Sequence, residues 1–256
     1  AWAKGADISE EDHSFHGVSN WKQYFRLNTD HKVIGIQYLG MTLFFMLWGG
    51  LMALLIRTEL AAPGQQIADG QTYNGFLSMH ATLMIFVFAV PVFGGISNYV
   101  LPIMLGAKDM AFPRLNALSF WFLPVAGFLF LASMFTGMFG AAWTAYPPLA
   151  SQGTMGQTLF ELGVQFAGAS SIATAINFLA TIITMRAPGM TIWRMPILAW
   201  ATGVTSVLVV FATPFVAGSQ FLTMFDRIMG THFFVPDQGG DVIMYQQDRK
   251  STRLNS

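Results

Sequence analysis

The sequence contains no cysteine. This absence excludes a disulfide framework, thiolate-bound metals and cysteine catalysis within these residues. Charged residues are also scarce, at 10% of the 256 residues, whereas an ordinary soluble domain carries about a quarter. The 13 cations balance the 13 carboxylates, so net charge does not indicate nucleic acid as a partner. Hydrophobic residues make up 54%, which is typical of an integral membrane protein.

Five apolar segments reach the length of about twenty residues that a membrane-spanning helix needs. The sequence therefore predicts an all-α, polytopic transmembrane bundle with five complete spans in residues 33–246. Pro91 and Pro214 lie inside two of the spans and are predicted to kink them, which neighbouring helices tolerate. The predicted spans are about 33–60, 72–105, 115–142, 158–186 and 194–226.

Cationic residues fall on one side of the membrane if the spans alternate in direction. Since cytoplasmic loops carry the excess of Lys and Arg, the N-terminus and the loop with Asp109 are predicted to be inside. Residues 1–32 would form a cytoplasmic or interfacial segment, with a plain solvated tail as the alternative. The polar N-terminal extension favours a bacterial plasma membrane. The cations are Lys4, Lys22, Arg26, Lys32, Lys108, Arg114, Arg186 and Arg194.

His80 lies in a long apolar stretch, where polar side chains are functional candidates by default. Neutral imidazole is a usual axial ligand of heme iron, and helices of a bundle can hold such a cofactor between them. The alternative is a buried histidine that only bonds a neighbouring helix. Arg57, at the outer end of the first span, would by itself be a cation that reaches the headgroups.

Asp109 lies in an inner loop between Lys108 and Arg114. It is either a salt-bridged loop carboxylate or an acid that collects protons at the mouth of a wetted path. In the second interpretation, neutral polar side chains would bind water inside the bundle. These are Asn98, Asn116, Ser170, Ser171 and Asn177.

Glu59 precedes a turn that contains Gly64 and Gln66. A carboxylate together with carbonyl oxygens suits a hard cation such as calcium. The alternative is a solvated loop acid, because one carboxylate makes a weak site.

Several segments together resemble subunit I of the heme–copper respiratory oxidases, the cytochrome c oxidase type. The resemblance covers about residues 30–246. The most specific blocks are Gly106–Asn116, around Asp109, and Met185–Met190. The other matching segments are Asp30–Lys32, Leu55–Glu59, Tyr73–His80, Gly95–Tyr99, Trp143–Leu149, Gly168–Ser171, Ala175–Phe178 and Gly239–Asp241.

The resemblance implies a role for each matching residue. His80 resembles an axial ligand of the low-spin heme a, and Arg57 the arginine that bonds its formyl group. Tyr73 and Trp143 resemble residues around its propionates. The resemblance also implies that Asp109 is the first acid of a proton-uptake path. It further implies that the loop after the first span is a calcium or sodium site. That path would be lined by Asn98, Asn116, Ser170, Ser171 and Asn177, and the cation would be bound by Glu59, Gly64 and Gln66.

The function implied by the resemblance is terminal oxidation by a subunit that normally has twelve spans. Electrons would pass from cytochrome c, through a copper-bearing subunit II, to hemes and copper that reduce O2, with subunit III as a further partner and with proton pumping. A quinol-oxidising enzyme of the same family is the near alternative. A proton channel or secondary transporter is the distant one, although the halved, broken helices of transporters are not evident.

The chain departs from the family pattern after Gln246. Residues 247–256 are polar and unlike the sixth span expected there, so they are predicted to be a non-native tail on an incomplete sequence. The second ligand of the low-spin heme, the contacts of the high-spin heme and the copper ligands are then missing. His232, in an outer loop, is not expected to replace them. We expect these 256 residues alone to be unable to reduce O2.

Overall fold

The structure, a computed structural model, describes the backbone of residues 21–250 and the side chains of residues 21–246. Within this range it contains helices and no strands, and five helices are long and apolar enough to cross a membrane. The predicted all-α bundle of five spans is thus confirmed. Spans 1 to 5 are His31–Glu59, Gly70–Leu105, Pro113–Phe135, Met155–Thr184 and Ile197–Ile228.

The end of span 3 differs most from the predicted boundaries. Span 3 stops at Phe135, whereas the apolar sequence predicted a helix to residue 142. Gly137 then takes a left-handed φ of 106°, a conformation that breaks a helix and suits glycine. Residues 136–154 are therefore a folded connection instead of a helix end. We call them the outer loop, and we use outer and inner for the two sides that the cationic loops predict.

The two prolines predicted to kink their spans behave differently. In span 2 the segment Leu83–Ala89 adopts π-helical geometry directly before Pro91, in keeping with the use of wider turns where a helix is disrupted. Span 5 is one uninterrupted α-helix through Pro214.

Glycines allow close packing between neighbouring spans. Span 1 lies along span 2, span 3 along span 4, and span 4 along span 5. Where spans 1 and 2 cross, a Cβ on Gly35 would lie 2.9 Å from the Cβ of Tyr99. A Cβ on Gly156 would lie 2.7 Å from the carbonyl oxygen of Ser133 in span 3. Small residues bring membrane helices together in this way.

The outer faces of the spans remain apolar. Phe93, Phe128 and Phe211 are each about 70% exposed, and Leu47 and Leu54 are 65% exposed. Such surfaces suit lipid or further helices. The predicted interfacial segment falls partly outside the described residues, but Trp21–Phe25 forms a short 3-10 helix before span 1. Val242–Lys250 forms a final short helix.

Candidate functional site

His80 lies in the outer half of span 2 and is half-buried. Its Nδ1 atom is 2.8 Å from the carbonyl oxygen of Gly49 in span 1. A carbonyl can only accept a hydrogen bond, so Nδ1 carries a proton, and in the neutral ring Nε2 then has its lone pair available. Metal-binding histidines are commonly oriented by this type of bond from the other ring nitrogen. The side chain therefore fits a ligand of heme iron.

The absence of a side chain at Gly49 leaves room for Met84 beside this bond. A Cβ there would lie 2.9 Å from Sδ of Met84 and 3.5 Å from the Cβ of Leu83. A larger residue at this position would therefore require the flexible Met84 side chain to move.

Trp143 is brought to the helix that bears His80. Its ring packs edge-on against Phe86 of span 2, with the ring centroids 6.2 Å apart. The amide nitrogen of Ala142 donates to the hydroxyl of Ser78, 3.1 Å away and two residues before His80. The outer loop is thereby fastened to the same turn of span 2.

Tyr73 and Arg57 lie nearer the outer surface. Tyr73 precedes His80 by seven residues, which is two turns, so the two side chains share a helix face about 10 Å apart along the axis. Arg57 is exposed at the outer end of span 1. Among the described residues no carboxylate lies within ion-pair distance of it.

Arg227 of span 5 is a residue that the sequence did not single out. Its side chain is only 7% exposed. Its guanidinium donates to the carbonyl oxygens of Ala150, Gly153 and Thr154 at 2.6–3.0 Å and to the hydroxyl of Thr158. It therefore fixes the far end of the outer loop to span 5. An arginine 70 residues away along the chain gives no local signal of this contact.

Asp109 lies half-buried at the inner end of the bundle. The amide nitrogen of Met110 donates to its Oδ1 at 2.7 Å. Burial raises the pKa of the Asp109 carboxyl above its ordinary value, and the Met110 N–H and nearby His31 partly oppose this. In the described part of the chain, neither Lys108 nor Arg114 pairs with it. The geometry does not support the salt-bridged alternative.

Span 4 holds the Asp109 loop in place. Asn177 accepts from the amide nitrogen of Phe112 at 2.9 Å and donates to its carbonyl oxygen at 3.3 Å. Thr181 accepts from the amide nitrogen of Ala111 at 2.9 Å. The structure thus uses the Asn177 amide, predicted to line the path, to clamp the loop.

Asn98 and Asn116 are fully buried, and both are 0% exposed. Neither the oxygen nor the nitrogen of either amide has a hydrogen-bond partner among the described residues. Buried polar groups are almost always satisfied, because leaving them unpaired is costly. These four unpaired, buried amide atoms therefore mark places that suit ordered water.

A line of hydroxyls continues from the asparagines into the bundle. Ser119 donates to the carbonyl oxygen of Asn116 at 2.7 Å. The hydroxyl of Tyr38 lies 3.3 Å from that of Ser119 and 3.2 Å from that of Thr174. Ser170 donates to the carbonyl oxygen of Ser119 at 2.7 Å. We call the side chains of residues 38, 98, 109, 116, 119, 170 and 174 the polar file.

Two features of the polar file differ from the sequence-based expectation. Tyr38, Ser119 and Thr174 belong to it although the sequence analysis did not single them out. For Ser119 and Thr174 the available signal was their position one helical turn after Asn116 and Ser170. Ser171 instead donates to the carbonyl oxygen of Ala167 in its own helix, at 3.0 Å.

The Glu59 carboxylate accepts hydrogen bonds from backbone N–H groups of the loop that follows span 1. The donors are the amide nitrogens of Gln66, Ile67 and Ala68, at 2.7–3.1 Å. The Gln66 amide in turn caps the carbonyl oxygens of Pro63 and Gly64 at 3.3 Å. Calcium takes six to eight oxygen ligands, and in this structure the Glu59 carboxylate and the Pro63 and Gly64 carbonyl oxygens accept N–H groups instead. The calcium or sodium site stays a prediction.

No other metal cage is formed in the part of the chain that the structure describes, where no three His, Asp or Glu side chains come together. His232 is exposed in the loop after span 5.

Comparison with known proteins gives one consistent result. Residues 33–248 match the family model described as Cytochrome C and Quinol oxidase polypeptide I. The chain is similar to proteins named cytochrome c oxidase subunit 1. These come from Thermostichus vulcanus (48% identical, 88% of this chain and 41% of the relative), Synechocystis sp. (44%, 90% and 42%) and Corynebacterium efficiens (41%, 90% and 40%). The chain thus spans about two fifths of the length of these relatives.

Proposed function

Because the chain belongs to the cytochrome c and quinol oxidase polypeptide I family, we propose that these residues are part of a terminal respiratory oxidase. The enzyme passes electrons from cytochrome c, by way of hemes and copper, to O2 and forms water, with coupled proton uptake and pumping. The family description also includes quinol oxidases, but the relatives compared above are all named for cytochrome c. The proposed location is a bacterial plasma membrane with the N-terminus inside, together with oxidase subunits II and III.

The low-spin heme a would be held by the outer halves of spans 1 and 2. His80 would bind its iron through Nε2, and the Gly49 carbonyl would fix the orientation of the imidazole ring. Arg57, Tyr73 and Trp143 lie on the outer side of His80 or against its helix, where they can contact the edge of the ring system. When bound, the heme supplies one-electron transfer at a potential that its axial ligands and their hydrogen bonds set.

The inner half of the bundle would deliver protons. Oxygen reduction consumes protons, and moving one charge across 100 mV costs about 2.3 kcal/mol, so the route must be polar and wetted. Asp109 would take up protons at the inner surface, and burial favours its protonated form. Water bound by the Asn98 and Asn116 amides would pass protons towards Tyr38. The four unpaired amide atoms of the two asparagines carry this proposal.

The proposal can be tested in the full-length oxidase reconstituted into vesicles. Asn116→Leu removes the water-binding amide without adding charge. We expect its proton uptake from the inner side to fall by more than about tenfold, since each 1.36 kcal/mol added to the barrier is a factor of ten. Ser171→Ala is the matched control, because Ser171 lies outside the polar file, and its rate should stay near that of the wild type.

Equal rates in both variants would contradict a proton path along the file. The optical spectrum separates the oxidase from the channel or transporter alternative, since only the oxidase has a Soret band. A wild-type spectrum without a low-spin heme signal would exclude the heme site at His80.

A further inference from the structure

We propose that Tyr245 is a positioning residue that holds Trp143 in place beside the heme site through the backbone of the outer loop. The inference rests on the proposed function, because it gives Trp143 a cofactor to contact. Tyr245 belongs to the short C-terminal helix, and neither the sequence motifs nor the heme residues discussed above include it.

Tyr245 joins three parts of the fold. Its side chain is 0% exposed, and its hydroxyl donates to the carbonyl oxygen of Thr144 at 2.6 Å. The same hydroxyl accepts from Nε2 of Gln220 in span 5 at 2.9 Å, which orients its proton towards Thr144. Its ring packs edge-on against Tyr146 and Phe234, with centroids 5.2 and 5.5 Å apart.

The segment that Tyr245 holds is strained. Ala142 and Ala145, on either side of Trp143 and Thr144, adopt φ angles of 54° and 46°. Residues with a Cβ rarely take this left-handed conformation, and they keep it only where the surroundings over-determine it. Such strain commonly lies at functional sites.

Two hydrogen bonds hold the strained segment at its two ends. The amide nitrogen of Ala142 donates to the hydroxyl of Ser78 in span 2 at 3.1 Å. The carbonyl oxygen of Thr144 accepts from the hydroxyl of Tyr245 at 2.6 Å. Trp143 lies between these two points, so the backbone that carries its ring is held on both sides. Backbone bonds from the Ala145 amide nitrogen to the carbonyl oxygens of Ala141 and Ala142, at 3.1 and 3.2 Å, also hold the turn. Loss of the Tyr245 bond removes the bond that ties it to the C-terminal helix and so weakens its hold on the strained backbone.

The test uses the full-length oxidase and the variant Tyr245→Phe, which removes only the hydroxyl. We expect hydrogen exchange in the peptide containing residues 141–145 to rise roughly two- to tenfold, as loss of one neutral hydrogen bond implies. The absorption band of the low-spin heme should shift while axial ligation by His80 is retained. Tyr99→Phe is the matched control, because Tyr99 is at the surface of the described part of the chain.

A second variant separates positioning from general stability. Adding Ala145→Gly to Tyr245→Phe relieves the left-handed strain, so the loop no longer needs the clamp. We expect this double variant to regain the wild-type heme band, at least in part.

Each outcome is informative. Faster exchange with an unchanged heme band would overturn the positioning role, and so would an unchanged exchange rate. A shifted band that Ala145→Gly fails to move back would overturn the argument from strain. A wild-type oxidase without a low-spin heme would instead defeat the proposed function itself.

Discussion

The crossing of spans 1 and 2 gives the most direct test of the helix packing that positions Tyr38 in the polar file. A Cβ on Gly95 would lie 2.7 Å from the Cβ of Tyr38 and 3.2 Å from the carbonyl oxygen of Gly35. Both neighbours are backbone or next to it, so neither can rotate away. In Gly95→Ala the two helices must separate until the first contact reaches an ordinary distance of at least 3.4 Å.

This separation would also break the polar file. The Tyr38 hydroxyl reaches Ser119 and Thr174 at 3.3 and 3.2 Å, already near the long limit for hydroxyl hydrogen bonds. We therefore expect Gly95→Ala to cost about 1–3 kcal/mol for overpacking and about 1 kcal/mol for each hydrogen bond lost.

Gly94 offers a matched control one residue away. A Cβ on Gly94 meets no described atom within 4 Å, so Gly94→Ala should gain about 0.5–1 kcal/mol from reduced backbone entropy. Both variants share this gain. The difference between their free energies of unfolding therefore reports the contact at Tyr38. Thermal unfolding of the full-length protein in detergent, together with the rate of proton uptake, measures both effects. Equal stability of the two variants would refute the argument.

Three further predictions follow from single contacts. Gly49→Ala should shift the low-spin heme band slightly, because the added Cβ displaces the Met84 side chain next to the bond between His80 and the Gly49 carbonyl. Gly50→Ala, with open space around it, should not shift the band, and equal spectra would contradict this reasoning. Burial raises the pKa of Asp109 in the folded protein above its ordinary value of 3.8, so the carboxyl costs stability progressively as pH rises from that ordinary value to the raised pKa. Asp109→Asn should therefore be the more stable form at neutral pH, with the difference vanishing in acid, while proton uptake slows. Arg227→Lys keeps the charge but cannot reproduce the fork of hydrogen bonds. It should lower stability by about 1–3 kcal/mol, because oxygens of the outer loop lose their donors, as measured by unfolding and by proteolysis of the outer loop.

The sequence predicted the parts of this protein that depend on composition and on specific motifs. Hydropathy alone placed five spans because a bilayer imposes their length. The resemblance to the oxidase family, carried by blocks such as Gly106–Asn116, is confirmed by the match of residues 33–248. The end of span 3 was misplaced because residues 136–142 are apolar, and hydropathy cannot register the left-handed turn at Gly137.

Contacts between distant residues could not be predicted in the same way. Arg227 meets the outer loop 70 or more residues away in sequence, and Tyr245 meets Thr144 across 101 residues. The sequence also predicted the same role for Asn116 and Asn177, as amides that line a proton path. Only the fold distinguishes the first, which is unpaired and buried, from the second, which is bonded to Phe112. No local period encodes such differences, because they depend on how the helices are arranged.

The polar file and the aromatic packing above it together favour an oxidase over a channel. The file rises from Asp109 to Thr174 and Ser170, but outward from there the interface of spans 3 and 4 is filled by phenylalanines. Phe130 and Phe160 are 0% exposed with their ring centroids 6.0 Å apart, and Phe160 stacks on Phe139 at 4.2 Å. A pore must stay polar across the whole membrane, since bare hydrocarbon does not carry protons. Within the described residues, a polar file that begins at Asp109, on the side predicted to be inside, and ends near aromatic rings suits a reaction that consumes protons within the membrane.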